Sequence, residues 1–434
     1  MEIFDYEVLS GKCSKYETNH LHMYVDDDID LENFENMSLS AYATFVHEYV
    51  HYIQHITSSY GIKMSDMHNR LFLNCLNYAR NHQTIGIPLN PCESDNNINT
   101  FATHFNNIKG DKNCSFNISD IEIDKREIAT SKDNKTAVWI GCYDFENEKA
   151  DEHVFRFGYQ CVIEGMAHSI QSLISEDIHH STIPYYAAEL VFNKMIPEKA
   201  GDKRLIATVC LCSLLWDNPG VGFFEVLSIL SKDTNCDGKK LYQSIIRDYA
   251  VLYKGKSMPY YRLVNKFSED LKGSFESLMG SDLEYYNRVI DNCIQDCGEC
   301  HHRLIDALYD DDICNREVFK EKLLAHYGYP LIDGKNQSAL PKNIVNGKVV
   351  PYKESAILHG VELIIARLLQ LGNKKECKRL PQCSVAMYIE GAKCEVTADC
   401  LSSQWKKQES CIFTEAMRYY EIKDKKYQEK VEPN

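Results

Sequence analysis

The chain has 434 residues, 44% of them hydrophobic and 26% charged, the proportions of a globular protein with a real core and length for two or three domains. A net charge of −15 repels phosphate backbones and anionic lipid, which excludes nucleic-acid and membrane-surface binding as its main work. Met1-Glu2-Ile3-Phe4-Asp5-Tyr6 lacks the basic stretch and apolar run of a signal peptide, and no apolar segment has bilayer length, so the expected location is cytoplasmic.

In chain order, residues 20–25 read as a strand and Asp26-Asp27-Asp28 as an acidic turn. Ser38 or Ser40 is placed to cap a helix over 41–58, where Phe45, Tyr49, Tyr52, Ile53 and Ile56 recur at helical spacing and Gly61 is the expected stop. A second helix is expected over 65–81. Residues 82–135 are rich in Asn, Asp, Ser and Thr and read as an irregular insertion with short strands. A strand is expected at 136–143, then helices at 153–174, from Pro184 to 194, and at 202–216, 221–232, 240–253, 259–279 and 282–309. Residues 333–353, with two Gly and two Pro, read as a linker or extended loop, followed by a helix over 355–371 and a Cys-rich tail. The fold class is mainly α (α+β), with a small N-terminal sheet. The expected division is a core over 1–235, a helical region over 236–332, and a linker, helix and Cys-rich segment over 333–434.

The segment with the clearest chemistry is His47-Glu48-Tyr49-Val50-His51. Residues four apart share a helix face, so both imidazoles reach one ion, and the neighbouring Glu48 can take a proton from water beside it. This composition yields the pattern by chance in about one such chain in twenty, so its context matters. A catalytic zinc needs a third protein ligand. His55 is placed badly for that, because its Cα would stand about 12 Å along the axis from that of His47. In a longer His-Glu-x-x-His-x-x-Gly-x-x-His pattern, Gln54 stands where Gly would be and Thr57 where the third His would be.

Glu164 is the better third ligand. It lies in Tyr159-Gln160-Cys161-Val162-Ile163-Glu164-Gly165-Met166-Ala167-His168, an apolar helix in which a lone carboxylate calls for a cation or a hydrogen-bonding partner. Gly165 and Ala167 would let another helix approach. His168 shares the face of Glu164 and could orient a ligand or bind the metal itself. A buried Glu–His pair without metal is the plainer alternative.

With these two motifs, residues 20–230 resemble the gluzincin group of zinc metallopeptidases. The resemblance implies a zincin-like helical core, a zinc ion held by His47, His51 and Glu164, Glu48 as general base, and a peptide or protein substrate. Three departures stand out: the gap from His51 to Glu164 is long, residues 82–135 form an insertion, and His168 stands where the group often has an Asp. For the oxyanion, the resemblance points to a Tyr or His, of which Tyr185, Tyr186, His179 and His180 follow closely. A protein partner restraining such an activity is a further expectation.

Of the 18 cysteines, Cys75, Cys142, Cys161, Cys210 and Cys212 have apolar neighbours and read as small core residues. Cys297-Gly298-Glu299-Cys300-His301 matches the haem-attachment pattern but falls inside an expected helix. Cys293, Cys297, Cys300 and His301 or His302 could instead form a second metal site, with coincidence in a Cys-rich chain as the plainer reading. Cys377, Cys383, Cys394, Cys400 and Cys411 leave open a structural zinc, disulfides or free thiols. The alternative to an enzyme is a helical scaffold or binding protein with a structural metal.

Overall fold

A computed structural model describes residues 14–17, 21–89, 96–114, 116–144, 151–233, 235–345, 348–370, 375–383 and 395–429. The expected ends at His20 and Leu371, the N-terminal hexapeptide and Cys394 lie outside them. The described chain is mainly helical with several small sheets, an α+β fold, and no described helix is long and apolar enough to cross a membrane.

The strands β1 (Lys15–Glu17) and β2 (His22–Tyr24) pair antiparallel. Ser38 then opens α1 (Leu39–Thr57): its hydroxyl accepts from the Ala41 N–H at 3.0 Å, satisfying an amide that a helix start leaves without a partner. From Ala41 to Ile56 nearly every residue of α1 is buried, so it is a central helix rather than an amphipathic surface one. The hydroxyls of Tyr42, Tyr49 and Tyr52 donate to carbonyls of Ile313, Gly328 and Tyr327 at 3.1, 2.6 and 2.8 Å. They give the ring-rich face of α1 a fixed seat.

The expected stop at Gly61 is displaced. α1 ends at Thr57, and Ser58 serves both as its C-cap and as N-cap of α2 (Ser59–Asn81) through a 3.1 Å bond from the Gly61 N–H. Gly61 lies inside α2, where a Cβ would stand 2.5 Å from the Gln54 carbonyl oxygen. Its lack of a side chain lets the two helices meet at a sharp corner.

The polar insertion is more regular than its composition suggests. Between β3 (Thr84–Ile87) and β4 (Asp120–Glu122) runs α3 (Asn96–Ile108), burying Ile98, Phe101, Phe105 and Ile108 at three- and four-residue steps. α4 (Lys125–Asn134) follows, capped by Asp124. β5 (Val138–Asp144) pairs with β6 (Asp151–Phe157) over its whole length. The expected helix over 153–174 is therefore a strand up to Phe157; Gly158 caps α5 (Tyr159–Ile174).

The helices α6 (Ala187–Met195), α7 (Lys203–Ser213), α8 (Pro219–Leu230) and α9 (Gly238–Asp248) continue the core. The helix expected to reach residue 253 stops at Asp248, where β7 (Ala250–Tyr253) and β8 (Lys256–Pro259) turn through Lys254-Gly255. α10 (Tyr260–Met279) follows. The single helix expected over 282–309 is two, α11 (Glu284–Gly298) and α12 (Arg303–Tyr309), broken where Cys300 takes φ +55°.

A continuous helical run, α13 (Arg316–Val318) and α14 (Ala325–Tyr327) joined by a π-helical stretch at Phe319–Leu324, leads to β9 (Leu331–Asp333) and β10 (Ser338–Ala339). β9 pairs parallel with β2, giving a sheet in the order β1-β2-β9-β10. The hairpin of β11 (Lys342–Val345) and β12 (Lys348–Pro351) and then α15 (Glu354–Leu368) follow. The segment expected as a linker thus contributes strands.

The tail folds onto this body. It carries α16 (Asp399–Ser402), α17 (Ile412–Tyr419), which packs on α15, and β13 (Lys426–Glu429), which pairs parallel with β3. Lys378 and Arg379, 3% and 2% exposed, form buried ion pairs: Lys378 with Glu17 and Glu362, Arg379 with both carboxylate oxygens of Asp333.

Candidate metal centre

α1 packs across α5, and the crossing brings His47, His51 and Glu164 together from positions 117 residues apart in the chain. The Nε2 atoms of His47 and of His51 each lie 3.3 Å from Glu164 Oε2. One ligand atom from each residue falls within 4.8 Å of the other two. Zinc–ligand bonds of 2.0–2.1 Å in a tetrahedron put neighbouring donors about 3.3 Å apart. The donor types and their spacing therefore fit a zinc ion with one position left for water or substrate.

The helix α5 reaches this position because α6 approaches at Gly165, where a Cβ would stand 2.5 Å from the Ala188 Cβ. His47, Glu48 and His51 are 5%, 5% and 7% exposed, and the charges there act on one another strongly. Burial disfavours the charged form of His51, but the Glu164 carboxylate outweighs it and raises the imidazole to about 9. Burial likewise opposes ionisation of Glu164, yet His51 and His47 hold it far below the carboxylate range. Glu48 is pushed up, foremost by burial, while the two histidines and the main-chain N–H of Tyr16 on β1 act in the opposite direction.

Two glutamines complete the arrangement, and sequence reasoning missed both. His51 Nδ1 lies 2.9 Å from Gln54 Oε1, and Gln54 Nε2 donates to the Ile163 carbonyl at 2.9 Å. His47 Nδ1 lies 3.1 Å from Gln171 Oε1, which also meets His180 Nε2 at 2.7 Å. The available signal was spacing: Gln54 is one turn after His51, and Gln171 two turns after Glu164.

His55 is elsewhere, as its spacing predicts. It is buried, with Nδ1 donating to the His51 carbonyl at 2.7 Å and Nε2 3.2 Å from the Tyr159 hydroxyl. His168 also stands outside the donor group. Its Nε2 is 3.3 Å from the Ser172 hydroxyl, and its ring packs on Tyr186 with centroids 4.2 Å apart. Burial first, then the neighbouring His180, lowers it to about 3.

Of the four residues expected near the oxyanion, two adjoin the ligands. The ring of His180 stacks on His47 at 5.5 Å, and Tyr185 stacks on His180 at 4.2 Å while standing 5.9 Å from His47. Tyr186 faces His168 instead, and His179 is exposed.

A second donor group, His22, Asp333 and His359, is fully buried. His22 Nε2 is 2.8 Å from Asp333 Oδ2. Arg379 already lies on both oxygens of that carboxylate and supplies the charge a cation would bring, so the group is an ion-pair network.

The cysteines form no comparable group among the described residues. Cys293 and Cys297 are buried, and burial pushes the Cys297 thiol up to about 12. His301 pairs with Asp306 at 2.9 Å, and His302 meets the Thr57 hydroxyl at 3.1 Å. Cys411 has a structural use: its sulfur accepts from the Thr414 N–H at 3.4 Å and caps α17.

No protein-family model, no curated protein and no solved structure matches the chain.

Proposed function

We propose that the protein is a zinc-dependent metallopeptidase of gluzincin type, with His47, His51 and Glu164 as metal ligands and Glu48 as general base. The observation that carries this reading is the meeting of two imidazole nitrogens with one carboxylate oxygen at 3.3 Å, across two helices distant in sequence. Zinc held by such a set supplies Lewis acidity toward a carbonyl oxygen and toward water. Glu48 follows the first ligand directly on the same helix, from where it takes the proton of the attacking water and returns it to the leaving amine.

Tyr185, whose ring stands 5.9 Å from that of His47, is the group positioned to donate toward the oxyanion. Among the described residues β1 is an edge of its sheet and lies against α1, which suits an extended peptide. No disulfide joins the described cysteines, in keeping with a reducing setting.

The burial of Glu48, 5% exposed, favours one alternative, a scaffold protein with a structural ion. The variant Glu48→Gln separates the two. It is expected to keep wild-type zinc content and lose hydrolysis of a mixed peptide library. Undiminished hydrolysis would rule out Glu48 as the base, and a wild type that cleaves no peptide would favour the scaffold.

A further inference from the structure

We propose that Gln54 and Gln171 are the positioning residues of this centre, one on each helix, and that together they lock both imidazoles with Nε2 turned toward the metal. The inference rests on the metal site proposed above and extends it to residues that touch no metal.

The argument begins with the Ile163 carbonyl, which can only accept. The atom of Gln54 facing it at 2.9 Å must therefore be the amide nitrogen. The amide oxygen then faces His51 Nδ1 at 2.9 Å, so that nitrogen must carry a hydrogen. In the neutral ring that binds a metal, the lone pair is left on Nε2, the atom 3.3 Å from Glu164. Ile163 immediately precedes Glu164, so one side chain ties a ligand of α1 to the backbone beside the ligand of α5.

Gln171 makes the reciprocal link. It projects from α5 and accepts from His47 Nδ1 at 3.1 Å, using its other lone pair for His180 Nε2 at 2.7 Å. Each glutamine is nearly inaccessible, at 1% and 2% exposure. An exposed amide could exchange its partners for water, but these cannot.

Amides rather than carboxylates have a further consequence. A carboxylate behind each histidine would add negative charge next to Glu164 and Glu48. Neutral amides fix the rings without that charge, leaving more of the positive charge of a bound ion uncompensated for polarising a carbonyl.

The test is zinc affinity of the full chain by chelator competition, with thermal unfolding of each metal-free variant as a control. Gln54→Leu and Gln171→Leu keep the volume and remove the acceptor. Each is expected to weaken zinc binding about 10- to 100-fold. Gln171→Glu restores an acceptor and adds charge, and is expected to bind zinc at least as tightly as wild type.

Leucine variants that unfold cooperatively and bind zinc as tightly as wild type would overturn the inference while leaving the zinc site intact. If the leucine variants fail to fold, weaker binding by Gln171→Glu than by wild type would overturn it. A wild type that takes up no zinc would overturn the inference and the functional reading together.

Discussion

The substitution Gly165→Ala tests how α5 is held over α1. A Cβ at residue 165 would stand 2.5 Å from the Ala188 Cβ, whereas carbon atoms settle at about 3.5–4.0 Å. Each Cβ is fixed by its bond to a helical Cα, so neither can rotate away, and α5 and α6 must part by about 1 Å. Overpacking of this kind costs about 1–3 kcal/mol, against a helix-propensity gain of about 1 kcal/mol for replacing Gly. Glu164 is the adjacent residue, so the displacement also moves a ligand.

The control is Gly273→Ala in α10, where a new Cβ meets nothing within 4 Å. There only the propensity and unfolded-chain terms remain, and the expected change is a gain of about 0.4–1 kcal/mol. Urea unfolding followed by circular dichroism reads both variants. The expected result is a lower midpoint for Gly165→Ala with weakened zinc affinity, and a higher midpoint for Gly273→Ala. A Gly165→Ala protein stabilised as much as Gly273→Ala would refute the close-approach argument.

Deleting residues 376–434 removes Lys378 and Arg379 and leaves Glu17, Glu362 and Asp333 as buried charges without these partners. Loss of one partner of a buried pair costs about 3–5 kcal/mol, so the truncated chain is expected to show no cooperative melting transition; an unchanged melting temperature would contradict this. The two carboxylates on Lys378 should respond oppositely to pH. Burial and the neighbouring Glu17 push Glu362 up to about 7, so its ionisation is opposed in the fold, and the penalty grows as pH rises from 4.5 through 7. Glu362→Gln is therefore expected to raise the melting temperature at pH 8 and leave it unchanged below pH 4.5. Burial alone would raise Glu17 as well, but Lys378 and Lys15 hold it below the carboxylate range. Its stabilisation is present above 4.5 and lost as pH falls further, and Glu17→Gln should lower the melting temperature at pH 8. Melting curves at the two pH values check both signs.

Legibility varied with how local each signal is. α1 was readable because a capping serine, helical spacing and the His-Glu-x-x-His pattern coincide within about twenty residues. Glu164 was readable because a lone carboxylate in an apolar helix needs a partner. β6 was not, since only its last residues alternate, with Phe155 and Phe157 buried and Arg156 between them, and they run directly into α5. The buried stripe of α3 was present in the sequence but diluted by asparagines.

Asp333 was read as part of a linker because its strand pairs with β2, some three hundred residues away, and no local pattern encodes that partner. Gln54 and Gln171 carry no charge that would mark them as costly to bury. Their use follows only once the helices cross.

The most direct measurement is the zinc content of extensively dialysed protein, by elemental analysis, for wild type and for the triple variant His47→Ala, His51→Ala, Glu164→Ala. One zinc per wild-type chain and none in the triple variant is the predicted result. No stoichiometric zinc in the wild type, or equal zinc in both proteins, would contradict the assignment of the metal to His47, His51 and Glu164.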